Sequence, residues 1–122
     1  MNLNLAHTWE TYTASWAALT LEEKRSLFEQ SLTQECEYSD PNTQRKGWDE
    51  LSAYMLDFHT QIPNGSFVTR YFKAHNFQSI AKWDMLDHNG KILGDGISYG
   101  RYNEAGKLIA MTGFYETTHP QK

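Results

Sequence analysis

Leu5, Trp9, Tyr12, Trp16 and Leu19 recur at spacings of three and four residues, which places them on one face of a helix. The next four residues, Thr20-Leu21-Glu22-Glu23, read as a capping box. A threonine hydroxyl accepts there from a backbone N–H one turn on, and the acid three residues later reaches back. This box opens a second short helix whose buried side is predicted to be Leu21, Leu27, Phe28 and Leu32. A third apolar stripe, Trp48, Leu51, Met55, Phe58, His59 and Ile62, starts at Gly47-Trp48 and is stopped by Pro63 and Gly65.

The second half changes period. Residues 67–74 are rich in aromatic and β-branched side chains, the composition of a strand. Ala81, Trp83 and Met85 then alternate with Lys82 and Asp84, a strand with one dry and one wet face. Asp87-His88-Asn89-Gly90 is a hairpin turn. A strand over 91–102 follows, then a turn at Asn103-Glu104-Ala105-Gly106 and a last strand over 107–116. One further short strand, 35–39, precedes the third helix and ends at Asp40-Pro41. The expected architecture is a single α+β domain over residues 1–122, with helices on one side of a mostly antiparallel sheet. No repeat or low-complexity linker interrupts it. Glycines weaken strands and mark bends, so Gly94, Gly96 and Gly100 in one strand predict a strongly curved, cone-shaped sheet. That sheet would wrap around the three helices of the N-terminal half and enclose a pocket. Gly96, Ser98 and Gly100 share one face, and small residues opposite large rings read as room for a cavity.

Composition sharpens this picture. Apolar residues make up only 39% of the 122, yet 4 Trp, 7 Tyr and 6 Phe bring aromatics to 14%. Rings either fill a core with few residues or line a ligand pocket. The net charge of -4 argues against nucleic acid, which needs a basic face to neutralise phosphates. The lone Cys36 excludes an internal disulfide framework and a multi-cysteine zinc site, and points to a reducing compartment. Residues 1–6 lack the charged and apolar regions of a signal peptide. No apolar stretch approaches the roughly 20 residues of a membrane span. The expectation is a soluble, cytoplasmic protein without a membrane partner.

Several short strings, in order, carry a resemblance. They are Tyr38-Ser39-Asp40-Pro41, Gly47-Trp48-Asp49-Glu50-Leu51, Phe58-His59 with Ile62-Pro63, His75, Trp83, Gly96-Ile97-Ser98, and Gly106-Lys107-Leu108-Ile109 with Gly113-Phe114-Tyr115. Together they resemble the SnoaL-like branch of the nuclear transport factor 2-like superfamily, to which ketosteroid isomerases also belong, over residues 9–116. The resemblance implies the cone with a deep pocket, and functions that range from isomerases, polyketide cyclases and dehydratases to members that only bind or dimerise.

It also implies roles. Asp40 matches the Asp-Pro that supplies the general base in ketosteroid isomerases. A carboxylate in an apolar pocket can shuttle a proton to and from a carbon next to a carbonyl. Asp-Pro is also a common turn starter whose side chain caps local backbone. Tyr38 shares strand parity with Asp40, so its hydroxyl could orient a substrate carbonyl or Asp40 itself. The oxyanion-donor positions of the isomerases fall on Trp16 and Ser98, weaker partners that leave steroid isomerisation in doubt. The resemblance often places a histidine at the position of His75, where the first long strand turns back, and one reading of it is an acid/base role beside Asp40. His59 lies near the end of the third helix, where carbonyls favour a cation, and is a candidate for a structural role or for the ligand site. Trp83, Met85, Met111 and Tyr115 are candidates for the ligand-stacking wall or for plain core. No nucleotide fingerprint and no histidine metal spacing is present, so neither a cofactor nor a metal is expected. The expected ligand is a small apolar or aromatic molecule, handled by a cofactor-free isomerase, cyclase or dehydratase or held by a non-catalytic binding or dimerisation module. The last strand is apolar on both faces, which predicts a homodimer through the sheet.

Overall fold

The computed structural model describes residues 4–116; residues 1–3, part of the segment read against a signal peptide, lie outside the described residues. The elements are α1 (Leu5–Ala17), α2 (Leu21–Ser31), β1 (Leu32–Asp40), β2 (Thr43–Lys46), α3 (Gly47–Gln61), β3 (Ser66–His75), β4 (Gln78–Leu86), β5 (Ile92–Tyr102) and β6 (Leu108–Phe114). The six strands form one sheet in the order β2-β1-β6-β5-β4-β3. Every neighbouring pair is antiparallel except β1 with β6. This is the expected α+β arrangement, with α1 packed on β3 and α3 on β1 and β2. β2 went unread in the sequence. It is four residues long with no apolar alternation, and only its hairpin with β1 makes it a strand. No helix among the described residues is long and apolar enough to cross a membrane.

The buried core is made by Trp9, Phe28, Leu32, Leu51, Met55 and Leu108, together with further residues of the same elements. The second helix departs from its predicted stripe. Leu21 is 57% exposed, and the buried positions are Lys24, Phe28 and Ser31. Lys24 is fully buried because its Nζ donates to the Ser15 and Ala18 carbonyls at 2.8 and 2.7 Å. The last carbonyls of a helix have no partner of their own and attract a cation. Lys24 therefore joins α2 to the end of α1, and the chain between them carries Leu19 out to solvent. Thr20 accepts from the Glu23 N–H at 3.1 Å, as the capping box requires. The Glu23 carboxylate, however, accepts from the Thr20 hydroxyl rather than from its backbone.

Gly96 and Gly100 of β5 do not leave a void where one was expected. A Cβ on Gly96 would stand 2.4 Å from the Trp83 ring, and one on Gly100 would stand 3.0 Å from Leu108 and 3.2 Å from Trp9. The space they leave is filled by the rings that lean on them. The last strand also breaks simple alternation. Leu108 pairs with Tyr102 and Ala110 with Arg101, a bulge that puts both Leu108 and Met111 inside. On the outer face, Tyr71, Ile80, Ile97 and Phe114 are exposed, and Ile97 and Phe114 stand directly opposite each other across β5 and β6.

Burial lowers the Lys24 ammonium to about 8. The folded chain thus releases this proton before the unfolded chain does, so the unfolded state binds more protons above pH 8 and stability rises with pH there. Between pH 8 and 9 the wild type is expected to gain stability in urea titrations relative to Lys24→Met. At neutral pH that variant is expected to lose about 2 kcal/mol, since two buried carbonyls go unpaired.

Candidate functional site

A cavity of about 350 Å³ lies between the helices and the curved sheet. Its wall is a chain of rings. Trp16 on α1 is the hub, with ring centroids 5.6 Å from Tyr38, 6.0 Å from Tyr54, 5.8 Å from Phe58 and 5.5 Å from Phe67. Phe67 meets Trp83 edge-on at 5.2 Å, and Trp83 meets Tyr115 at 6.1 Å. Indole N–H groups in such a wall need partners. Trp16 donates to the Tyr12 hydroxyl at 3.1 Å and Trp83 to the Ser98 hydroxyl at 2.9 Å.

Asp40 closes β1 and lines this cavity. Its Oδ2 accepts from the Tyr38 hydroxyl at 2.6 Å and from the Tyr54 hydroxyl at 2.8 Å. Its Oδ1 accepts from the Asn42 N–H at 2.8 Å. The two oxygens divide: Oδ1 caps the turn that leads into β2, as the turn reading expects, and Oδ2 meets the two tyrosine hydroxyls of the cavity wall. The Asn42 side chain in turn donates to the Tyr115 hydroxyl at 2.9 Å. Tyr38 and Asp40 meet because residues two apart on a strand share a face. A carboxylate offers about four acceptor positions, and three of Asp40's are filled. Burial, aided by the negative charge of Asp40, holds the Tyr38 and Tyr54 hydroxyls well above the usual tyrosine range. Both therefore stay protonated and act as donors.

The structure brings Asp40, Tyr38, Trp16, Trp83, Met85, Ser98 and Tyr115 to one cavity. Three candidates lie elsewhere. His75 is the exposed last residue of β3, held by Asn76, and does not reach Asp40. Met111 is 1% exposed within the core, turned there by the parity of the bulged strand. His59 is directed away from the cavity and onto the Trp16 carbonyl, with Nε2 at 2.6 Å. That carbonyl can only accept, so Nε2 carries the proton, and burial keeps the ring's pKa below its usual value. His59 thus fixes the backbone of the hub tryptophan. Sequence reasoning missed Tyr54, Tyr12, Phe58 and Phe67. Tyr54 sits three residues after Leu51 and four before Phe58, on the flank of the apolar stripe, and that spacing was the available signal. Trp16 is not a free oxyanion donor, since its N–H is already given to Tyr12, whereas Ser98 accepts from Trp83 and keeps its own hydroxyl proton. Among the described residues, no group of three or more His, Cys, Asp or Glu side chains is placed to hold a metal.

No family model and no curated protein matches the sequence. Solved structures do match the fold. A SnoaL-like family protein from Agrobacterium tumefaciens str. C58, provisionally named an isomerase, superposes with a TM-score of 0.83 at 22% identity, over 92% of this chain and 97% of that one. A protein from Jannaschia sp. CCS1, provisionally named a SnoaL-like polyketide cyclase, matches with a TM-score of 0.70 at 12% identity, over 91% and 86% of the two chains. TerC, co-crystallised with polyporic acid, matches with a TM-score of 0.73 at 10% identity, over 92% and 91%. The fold is thus the SnoaL-like, nuclear transport factor 2-like one expected from the sequence.

Tyr38→Phe removes the shorter of the two donors to Oδ2 and is expected to cost about 1–3 kcal/mol in chemical unfolding. Tyr115→Phe removes a hydroxyl that accepts from the exposed Asn42 amide and is expected to cost less than Tyr38→Phe, within about 1 kcal/mol of wild type.

Proposed function

We propose that the cavity binds a small, largely apolar, ring-bearing carbonyl compound and that Asp40 moves a proton on it, as a cofactor-independent isomerase, cyclase or dehydratase would. The observation that carries this reading is the placement of Asp40 Oδ2 inside an aromatic cavity between two protonated tyrosine hydroxyls. When Oδ2 takes a proton from the carbon beside a carbonyl, negative charge leaves Asp40 and appears on the substrate oxygen. The hydroxyls of Tyr38 and Tyr54 then have more reason to donate to that oxygen than to a neutral carboxyl, so donors and charge move together. Return of the proton from Asp40 to a different carbon completes an isomerisation and restores the carboxylate. The volume, near the lower end of the range for ligand pockets, suits a molecule of one or two rings.

A second reading, binding without turnover, is favoured by the three donors that already occupy most of Asp40's acceptor positions. Exchange of the protons beside the carbonyl of 1-tetralone, followed by NMR in heavy water, separates the two. The enzyme reading expects acceleration over buffer, lost by about 100-fold or more in Asp40→Asn while 1-tetralone still binds. Binding with no acceleration by wild type would leave the non-catalytic reading.

The same chain is proposed to act as a homodimer through the outer sheet face, in the reducing compartment that a single buried cysteine suits. Tyr71, Ile80, Ile97 and Phe114 support this, because a sheet with apolar groups on both faces needs cover on both. Light scattering is expected to give a dimer mass that falls to the monomer in an Ile97→Glu/Phe114→Glu variant. A monomeric wild type would refute the dimer.

A further inference from the structure

We infer that Gly113 is a specificity-determining position: the side chain it lacks leaves a notch beside Asp40 that receives the carbonyl end of the ligand and limits the bulk that end can carry. This rests on the reading of the cavity as a ligand site and adds the ligand's orientation and its size limit.

Gly113 lies on β6, is buried, and lines the cavity. The ordinary reasons for a glycine in a strand do not apply to it. Its φ is not positive, unlike those of Gly47, Gly90 and Gly106. It marks no bulge, since Ile97, Ser98 and Tyr99 pair in unbroken register with Phe114, Gly113 and Thr112. Close packing does not demand it either. A Cβ at Gly96 would collide with the Trp83 ring at 2.4 Å, whereas one at Gly113 would meet its nearest neighbours at 3.7, 3.7 and 4.0 Å, ordinary contact distances. A glycine inside a strand weakens it and offers no side chain to pack. Local structure would therefore favour alanine here, and the cavity is what gains from the glycine.

The neighbours of that missing Cβ say what the notch takes. They are the Asp40 Cβ, the Ser98 Oγ and the Tyr38 hydroxyl, from β1 and β5 on either side of β6. Tyr38 gives its proton to Asp40, while Ser98 accepts from Trp83 and keeps its own. The notch thus joins the carboxylate to a hydroxyl that can donate. Elsewhere the wall carries Phe58, Ile62, Phe67 and Met85. A carbonyl oxygen needs a donor and is drawn to the notch, and the apolar rings of the ligand lie against the rest. The carbon beside the carbonyl is then held at Asp40. A substituent on that carbon occupies the space that a side chain at position 113 would fill.

Two isomers test this, titrated by NMR into the intact protein: 2-methyl-1-tetralone, with its methyl beside the carbonyl, and 6-methyl-1-tetralone, with it on the far ring. Wild type is expected to bind the two within about threefold of each other. Gly113→Ala is expected to keep the wild-type urea midpoint and to weaken the 2-methyl isomer about tenfold relative to the 6-methyl isomer, the effect of one methyl group in a fitted pocket. Gly94→Ala adds the same methyl elsewhere on the cavity wall, where the Met85 Cε stands 3.9 Å away. It is expected to leave that ratio within about threefold of wild type. The inference is overturned by a wild type that excludes the 2-methyl isomer, or by a ratio that Gly113→Ala leaves unchanged or Gly94→Ala moves as far. A Gly113→Ala chain that unfolds overturns it too, since packing would then require the glycine. Each of these outcomes leaves the pocket reading standing. Failure of both isomers to bind wild type overturns the pocket reading itself, and this inference with it.

Discussion

A carboxylate set among aromatic rings must be given hydrogen-bond donors, and the architecture of the site follows from how Asp40 obtains them. One comes from the turn after it, the Asn42 N–H, and two come from tyrosines on β1 and α3. The first ties the carboxylate to the hairpin that creates β2. The third requires α3 to lie across β1 with Tyr54 turned inward. The position of a helix, the existence of a short strand and the protonation of two tyrosines are thus all bound to one side chain. Charge-assisted bonds of this kind are short and strong, which suits the 2.6 Å contact with Tyr38.

The aromatic wall depends on a second constraint, the end of α1. Three carbonyls there, those of Ser15, Trp16 and Ala18, are taken by side chains from α2 and α3. Lys24 and His59 are the two groups involved, and both are held toward their less charged forms by burial. Trp16 sits at the centre of this clamp and of the ring cluster, so its indole is oriented from both its backbone and its neighbours. The outcome is a rigid wall on one side of the cavity. The opposite side is built by Trp83, which lies across Gly96 and donates to Ser98. Gly96 is required there, since any side chain would collide with the indole.

Placed against this structure, the aromatic-rich, aliphatic-poor composition has two explanations that divide by residue. Phe28 and Tyr102 are buried in the core away from the cavity, whereas Trp83, Phe67 and Tyr115 stand around open space. The exposed strip on the outer face is a separate consequence of β4, β5 and β6 each carrying an apolar residue outward.

What the sequence determined by itself rests on local periodicity, although the buried side of α2 and the alternation of β6 departed from it. The three helices, the hairpin turns, the capping threonine, the shared face of Tyr38 and Asp40 and the curved-sheet fold were all legible, because spacings of two, three and four residues directly set which side chains share a face. Ordered short strings then pointed to the right fold, although no single one was specific. What only the tertiary structure decided lies wherever distant elements meet. Lys24 is buried because α2 begins close to the open carbonyls at the end of α1. Met111 turns inward because a bulge resets the parity of β6. His75 misses the cavity because β3 carries it beyond the reach of Asp40, and Tyr54 enters it because α3 crosses β1. Burial, charge pairing and the contents of a cavity are properties of contacts between segments far apart in the chain, and no local pattern encodes which contacts form.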